Sequence, residues 1–127
     1  MPSLLVADDT PIIRSTIAHV VERDLLDFSP VVQASNGAQA VELAQQIKPD
    51  IILMDIKMPG LDGLQASAAI RAALPRTKII ILTAYDEFPY VQRALKLGVV
   101  DYLLKPIRPA KLVEILTQLQ QQIATEQ

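Results

Sequence analysis

Short apolar runs alternate with longer amphipathic stretches along the whole chain. "SLLVA" (Ser3 to Ala7), "PVVQAS" (Pro30 to Ser35), "DIILMD" (Asp50 to Asp55), "KIIILTA" (Lys78 to Ala84) and "VVDYLL" (Val99 to Leu104) have strand length and are rich in Val, Ile and Leu. Between them apolar residues recur at helical spacing. Thr10 is a good N-cap and Pro11 suits the first helical position, after which Ile13, Ile17, Val20 and Val21 share a face. Asn36 to Ile47 is expected as a second helix with Ala40, Val41, Ala44 and Ile47 on one side, stopped by Pro49. Asp62 to Ala73 predicts a third, rich in alanine. Asp86 to Leu97 predicts a fourth, opened by an acid and Pro89 and closed by Gly98. Pro109 to Ile123 predicts the last, with Leu112, Ile115, Leu116, Leu119 and Ile123 in register.

The order is strand–helix, five times over. Nearly continuous apolar strands are what a parallel sheet covered on both faces requires. Alternation with helices gives right-handed βαβ units. The expected fold is α/β, a flavodoxin-like, doubly wound five-stranded parallel sheet in the order 2-1-3-4-5 with five helices. One domain over residues 1–127 is expected, ordered over about residues 3–123, with the glutamine-rich end fraying into a tail or a cut linker.

Composition narrows the classes. Of 127 residues, 50% are hydrophobic and 20% charged, which suits one packed core and excludes a disordered chain. With no cysteine, disulfides and thiolate metal sites are excluded. A net charge of −2 without a basic run gives no general attraction to nucleic acid. No apolar run approaches the ~20 residues of a membrane span and no signal peptide is apparent, so the expected location is the cytoplasm.

In open parallel sheets, function gathers at the carboxyl ends of the strands. Strand one ends in Asp8 and Asp9, strand three in Asp55, strand four in Thr83 and strand five in Lys105 and Pro106. Three carboxylates, a hydroxyl and an ammonium are thus expected at one edge. Clustered carboxylates resist ionisation unless cations sit among them. Lys105 is one, and a divalent ion on an all-oxygen donor set is better met by magnesium than by zinc.

"VADD", "LMDIKMPGLDG", "ILTAYDE" and "DYLLKPI" resemble the signature blocks of response-regulator receiver domains, the CheY-like family of two-component signalling. The resemblance covers essentially the whole chain with the blocks in the right order. It implies that Asp55 is a phosphoacceptor, charged by a sensor histidine kinase, a phosphotransfer protein or a small phosphodonor such as acetyl phosphate. It implies Mg2+, with Mn2+ as the alternative, held directly by Asp9, Asp55 and the backbone carbonyl of Lys57, with Asp8 acting on it mostly through water. Lys105, Thr83 and the N–H of Ala84 would hold the phosphoryl group. Tyr102 would follow Thr83 in switching a face made by the fourth helix, fifth strand and fifth helix, through which such receivers often dimerise. Pro106 follows the lysine in a step that is often cis in the family. Pro59, Gly60 and Gly63 shape the turn after Asp55, the glycines by permitting backbone angles that other residues resist. Lys57 and Tyr85 flank the phosphoryl position and would slow dephosphorylation. Such a domain is not an enzyme in the turnover sense. The stretch from Thr83 to Ile107 is most similar to receivers that precede AraC-type DNA-binding domains; a stand-alone receiver or a phosphorylation-independent binding module is the alternative.

Taken singly, each residue has a plainer reading. Asp8 and Asp9 could cap the first helix, Asp55 could be a loop acid, Lys105 a solvated lysine, Thr83 strand-edge packing and Tyr102 sheet packing. His19 reads as a helix-face residue. Phe88 and Tyr90 read as packing or as a partner patch. Asp101, Glu114, Arg93 and Lys96 read as a solvated face or as ion pairs across a dimer. A flavodoxin-like nucleotide binder would need a phosphate-cradling loop where "DDTP" stands. A haloacid-dehalogenase-like phosphatase would need an acid at Lys57.

Overall fold

The computed structural model describes residues 2–25, 27–84 and 88–126. Five strands alternate with five helices: β1 (Leu4–Ala7), α1 (Pro11–Asp24), β2 (Val31–Ala34), α2 (Gly37–Ile47), β3 (Ile51–Asp55), α3 (Gly63–Ala73), β4 (Lys78–Thr83), α4 (Phe88–Lys96), β5 (Asp101–Leu104) and α5 (Pro109–Glu126). The strands form one parallel sheet in the order β2-β1-β3-β4-β5, as the pattern requires.

Alternate strand residues feed two apolar layers, one on each face of the sheet. Leu5, Ala7, Ile52, Met54, Ile79 and Ile81 pack with Ala40 and Ala44 of α2, Leu64, Ala66 and Ile70 of α3, and Val91 and Ala94 of α4. Leu4, Val6, Ile51, Leu53, Ile80, Leu82 and Leu103 pack with Ile17, Val20 and Val21 of α1 and with Leu112, Ile115, Leu116 and Leu119 of α5. Small alanines on α2 and α3 let those helices lie close to the sheet, and burial of the large aliphatics supplies the driving force.

The helix ends follow the local chemistry. Asn36 caps α2 by accepting the Gln39 N–H at 2.8 Å. Asp62 and Gln65 form a reciprocal capping box on α3, at 2.9 and 3.0 Å. Both residues thus stand one position before their helices. Thr10 occupies the N-cap of α1, but its hydroxyl makes no cap bond. The hydroxyl instead lies 3.5 Å from Asp9 Oδ1, and the Asp8 carboxylate accepts the Thr10 N–H at 2.9 Å, a bond before the helix that caps none of its first-turn amides.

β5 starts at Asp101, later than the apolar run suggests, because Gly98 turns the chain at φ +95° and the Val99 N–H bonds back to the α4 carbonyl of Ala94. The expected start of the fourth helix at Asp86 lies outside the described residues. The C-terminal stretch does not fray at Ile123. α5 continues to Glu126, whose carboxylate meets Lys78 Nζ at 2.7 Å. No helix among the described residues is long and apolar enough to cross a membrane.

Candidate functional site

Register and parity bring the polar residues together. Ala7 pairs with Met54, Asp55 with Leu82 and Leu82 with Leu103, so the carboxyl ends of β1, β3, β4 and β5 lie side by side. Asp55 continues the parity of Ile51 and Leu53, Asp8 that of Leu4 and Val6, and Lys105 that of Leu103. All three therefore emerge toward the α1 and α5 side. A run of apolar residues in each strand thus delivers one ionisable group to the same end of the same face.

The carboxylate oxygens of Asp8, Asp9 and Asp55 lie within 4.8 Å of one another. Asp8 is fully buried and Asp55 is 3% exposed, whereas Asp9 is open to solvent. Lys105 Nζ reaches Asp55 Oδ1 at 3.0 Å and Asp8 Oδ2 at 3.1 Å. The second contact is an ion pair without hydrogen-bond geometry, and Asp8 Oδ2 is a buried oxygen with no hydrogen-bond donor.

Burial pushes the Asp55 carboxyl up to about 6, and the charges of Asp8 and Asp9 push the same way, against the opposing pull of Lys105. Burial alone would lower the pKa of Lys105. Asp55 and Asp8 outweigh it, and the ammonium is held above its ordinary range. Three carboxylates facing one ammonium leave an excess of negative charge. The all-oxygen donor set, with Asp8 Oδ2 buried and accepting no hydrogen bond among the described residues, fits a hard divalent cation such as magnesium.

The remaining expected residues surround this cluster unevenly. Thr83 is buried at the end of β4, and its hydroxyl donates to the Ala84 carbonyl at 3.1 Å. Tyr102 pairs with Ile81 and shares the sheet face of Ile81 and Thr83, but it is 37% exposed on the edge strand. The Lys105–Pro106 bond is cis, and so is Ser29–Pro30, which the sequence pattern did not single out. Lys57 points to the surface, its Nζ 5.8 Å from the centroid of Tyr90. Arg93 lies 5.7 Å from the same ring, so two cations stand within reach of Tyr90. Tyr85 lies outside the described residues.

The two glycines of the turn act for different reasons. Gly60 has φ +73°, the left-handed region that favours glycine, and a Cβ there would meet nothing. Gly63, contrary to expectation, has no positive φ. It is needed because a Cβ would run into the backbone carbonyl of Asp55 and the Cα of Ile56. Its N–H donates to the Ile56 carbonyl at 2.7 Å, seating the start of α3 directly on the end of β3.

Arg14, on the first turns of α1, was not singled out from the sequence. Its Nη1 donates to the Asp8 carbonyl at 2.7 Å and its Nε to Gln33 Oε1 at 3.3 Å. The only signal would have been its position shortly after two acids, in the first turns of the helix that follows them, and an arginine there reads equally well as solvated.

Comparisons agree with this geometry. The family model described as the response regulator receiver domain matches residues 4–117. The chain is similar to the uncharacterized transcriptional regulatory protein YxjL of Bacillus subtilis, 41% identical over 85% of this chain and 49% of the relative. It is similar to the chemotaxis protein CheY of Listeria monocytogenes, 38% identical over 91% of this chain and 96% of the relative. It thus spans about half of the first and nearly all of the second. Among solved structures, the REC domain of AraT, a response regulator from Geobacillus stearothermophilus, superposes with a TM-score of 0.92 at 37% identity, covering 98% of this chain and 97% of that one.

Proposed function

The chain belongs to the response regulator receiver family, and from that premise we propose that Asp55 is the phosphoacceptor of a magnesium-dependent switch in two-component signalling. The observation that carries this reading is a carboxylate 3% exposed at the tip of β3, held by Lys105 at 3.0 Å with Asp8 and Asp9 alongside.

In the proposed reaction an oxygen of ionised Asp55 attacks the phosphorus of a phosphohistidine. The P–N bond breaks, the histidine leaves with the electron pair and takes up a proton, and an aspartyl phosphate remains. Asp8, Asp9, Asp55 and the Lys57 carbonyl would hold Mg2+, which when bound offsets the charge building between carboxylate and phosphoryl oxygens. Lys105 pairs with the phosphoryl group once its contact with Asp55 is shared. Thr83 turns its hydroxyl from the Ala84 carbonyl toward the new oxygens, and the Ala84 N–H adds a donor.

Movement of Thr83 would open space on the face it shares with Tyr102, letting the ring turn inward. Leu95 on α4 and Leu104 and Tyr102 on β5 are exposed, and a groove of about 620 Å3 runs between β5 and α5. This supports reading the α4-β5-α5 surface as the face that reports phosphorylation, by homodimer formation or by engaging an output domain. The protein acts in the cytoplasm as a signalling domain, not as a turnover enzyme. Its kinase or phosphotransfer partner is the donor, and it makes no nucleic-acid contact itself. A DNA-binding output of the AraC type rests on the resemblance of the Thr83–Ile107 stretch. Similarity to nearly the full length of a CheY supports the alternative, a stand-alone receiver. Lys57, exposed beside the site, would slow loss of the phosphoryl group.

The test is intact mass after incubation with acetyl phosphate and Mg2+. One phosphoryl adduct that requires the metal and is absent from Asp55→Asn is expected. An unmodified wild type with native circular dichroism would favour a binding module that works without phosphorylation.

A further inference from the structure

We propose that Arg14 is a positioning residue for the acid cluster, fixing the peptide that joins Asp8 to Asp9 and thereby the geometry of the magnesium ligands; this rests on the reading of those acids given above. The Asp8 segment is held on three sides. Its N–H donates to the Ala34 carbonyl of β2 at 3.1 Å. Its carboxylate Oδ1 accepts the Thr10 N–H at 2.9 Å. Its carbonyl accepts from Arg14 Nη1 at 2.7 Å. That carbonyl belongs to the Asp8–Asp9 peptide, so the guanidinium sets the plane from which exposed Asp9 departs. Arg14 is in turn oriented by Gln33 on β2, through Nε at 3.3 Å. A planar guanidinium can meet both acceptors at once, which a lysine ammonium cannot do in the same geometry.

Charge and geometry pull in opposite directions here, which makes the role separable. Removing a positive charge near three carboxylates should tighten a divalent cation. Losing the clamp on the connecting peptide should weaken it. Partners that orient metal ligands typically govern affinity by one to two orders of magnitude.

The experiment is calorimetric titration of Mg2+ into metal-free wild type, Arg14→Met, Arg14→Lys, Gln33→Leu and the Arg14→Met/Gln33→Leu double variant at constant ionic strength, with melting curves for each. The expected result is a Kd raised roughly tenfold in Arg14→Met. Arg14→Lys, which keeps the charge and loses only the two-acceptor clamp, should be weakened at least as much. Gln33→Leu should show a smaller rise, and the double variant should be no weaker than Arg14→Met alone, because Gln33 acts through Arg14. A purely structural arginine would lower the melting temperature and leave Kd unmoved. An unchanged or tighter Kd in Arg14→Lys, where no charge is lost, overturns the proposal while leaving the metal site standing; should that variant fail to fold, an unchanged Kd in Gln33→Leu does the same. A wild type that binds no magnesium overturns both.

Discussion

Lys105 touches Asp55 at 3.0 Å, yet the Asp55 carboxyl is harder to ionise than a free one, because burial beside Asp8 outweighs the single cation. The acid site is therefore strained electrostatically in the metal-free protein. Its tension is relieved by a proton or by a further cation.

This fixes a sign for pH dependence. Asp55 titrates near 3.8 in the unfolded chain and about 6 in the fold, so the folded state favours the protonated form. The associated stability is full below the lower value and is lost as pH rises through the upper one. Asp55→Asn cannot ionise. In magnesium-free buffer it should gain on the wild type across this window, by about 3 kcal/mol near neutrality. Urea unfolding of both proteins at several pH values measures it, and a pH-independent difference would show that burial does not hold the proton on Asp55.

Gly60 and Gly63 should fail differently. Gly60→Ala meets open space and costs only the left-handed backbone, about 1 kcal/mol. Gly63→Ala drives a methyl into the Asp55 carbonyl and must displace either α3 or the strand end that carries the acid. It should cost about 3 kcal/mol or more. It should also shift the Asp55 amide resonance, which Gly60→Ala should leave in place. Equal losses in chemical denaturation would remove the distinction.

Ser67, on α3, is buried with a hydroxyl that has no hydrogen-bond partner among the described residues. Ser67→Ala removes an unpaired polar atom without opening a large void. It is expected to be neutral or stabilising by up to about 1 kcal/mol in thermal unfolding. A clear loss would reveal a partner for the hydroxyl, such as a buried water.

The strand order was legible because strand–helix alternation with nearly continuous apolar strands calls for a doubly wound parallel sheet, and the convergence of Asp8, Asp55, Thr83 and Lys105 because each stands at the carboxyl end of a strand and parallel strands end together. What was not legible depends on distances set by packing. Adjacent Asp8 and Asp9 differ in burial, one inside and the other exposed, and the packing around the loop after β1 decides which. Gly63 announces a need for glycine without saying whether the cause is an angle or a collision. The reach of Arg14 to the Asp8 carbonyl requires the pose of α1 on the sheet, and no linear spacing encodes that. Thr10 stands at the expected N-cap, but its hydroxyl faces the Asp9 carboxylate rather than a first-turn amide, which no linear spacing announces.

Lys105 follows β5, the outermost strand, which pairs only with β4. The ammonium that faces Asp8 and Asp55 is thus delivered by an element with one free edge, and it comes from 50 positions beyond Asp55 in the chain. Transient detachment of that strand would withdraw the cation from the acids while the other four strands stay paired. Conversely, ionisation of buried Asp55 pulls on the strand through its lysine. Hydrogen exchange of the β5 amides is thereby tied to the charge state of an aspartate two strands away.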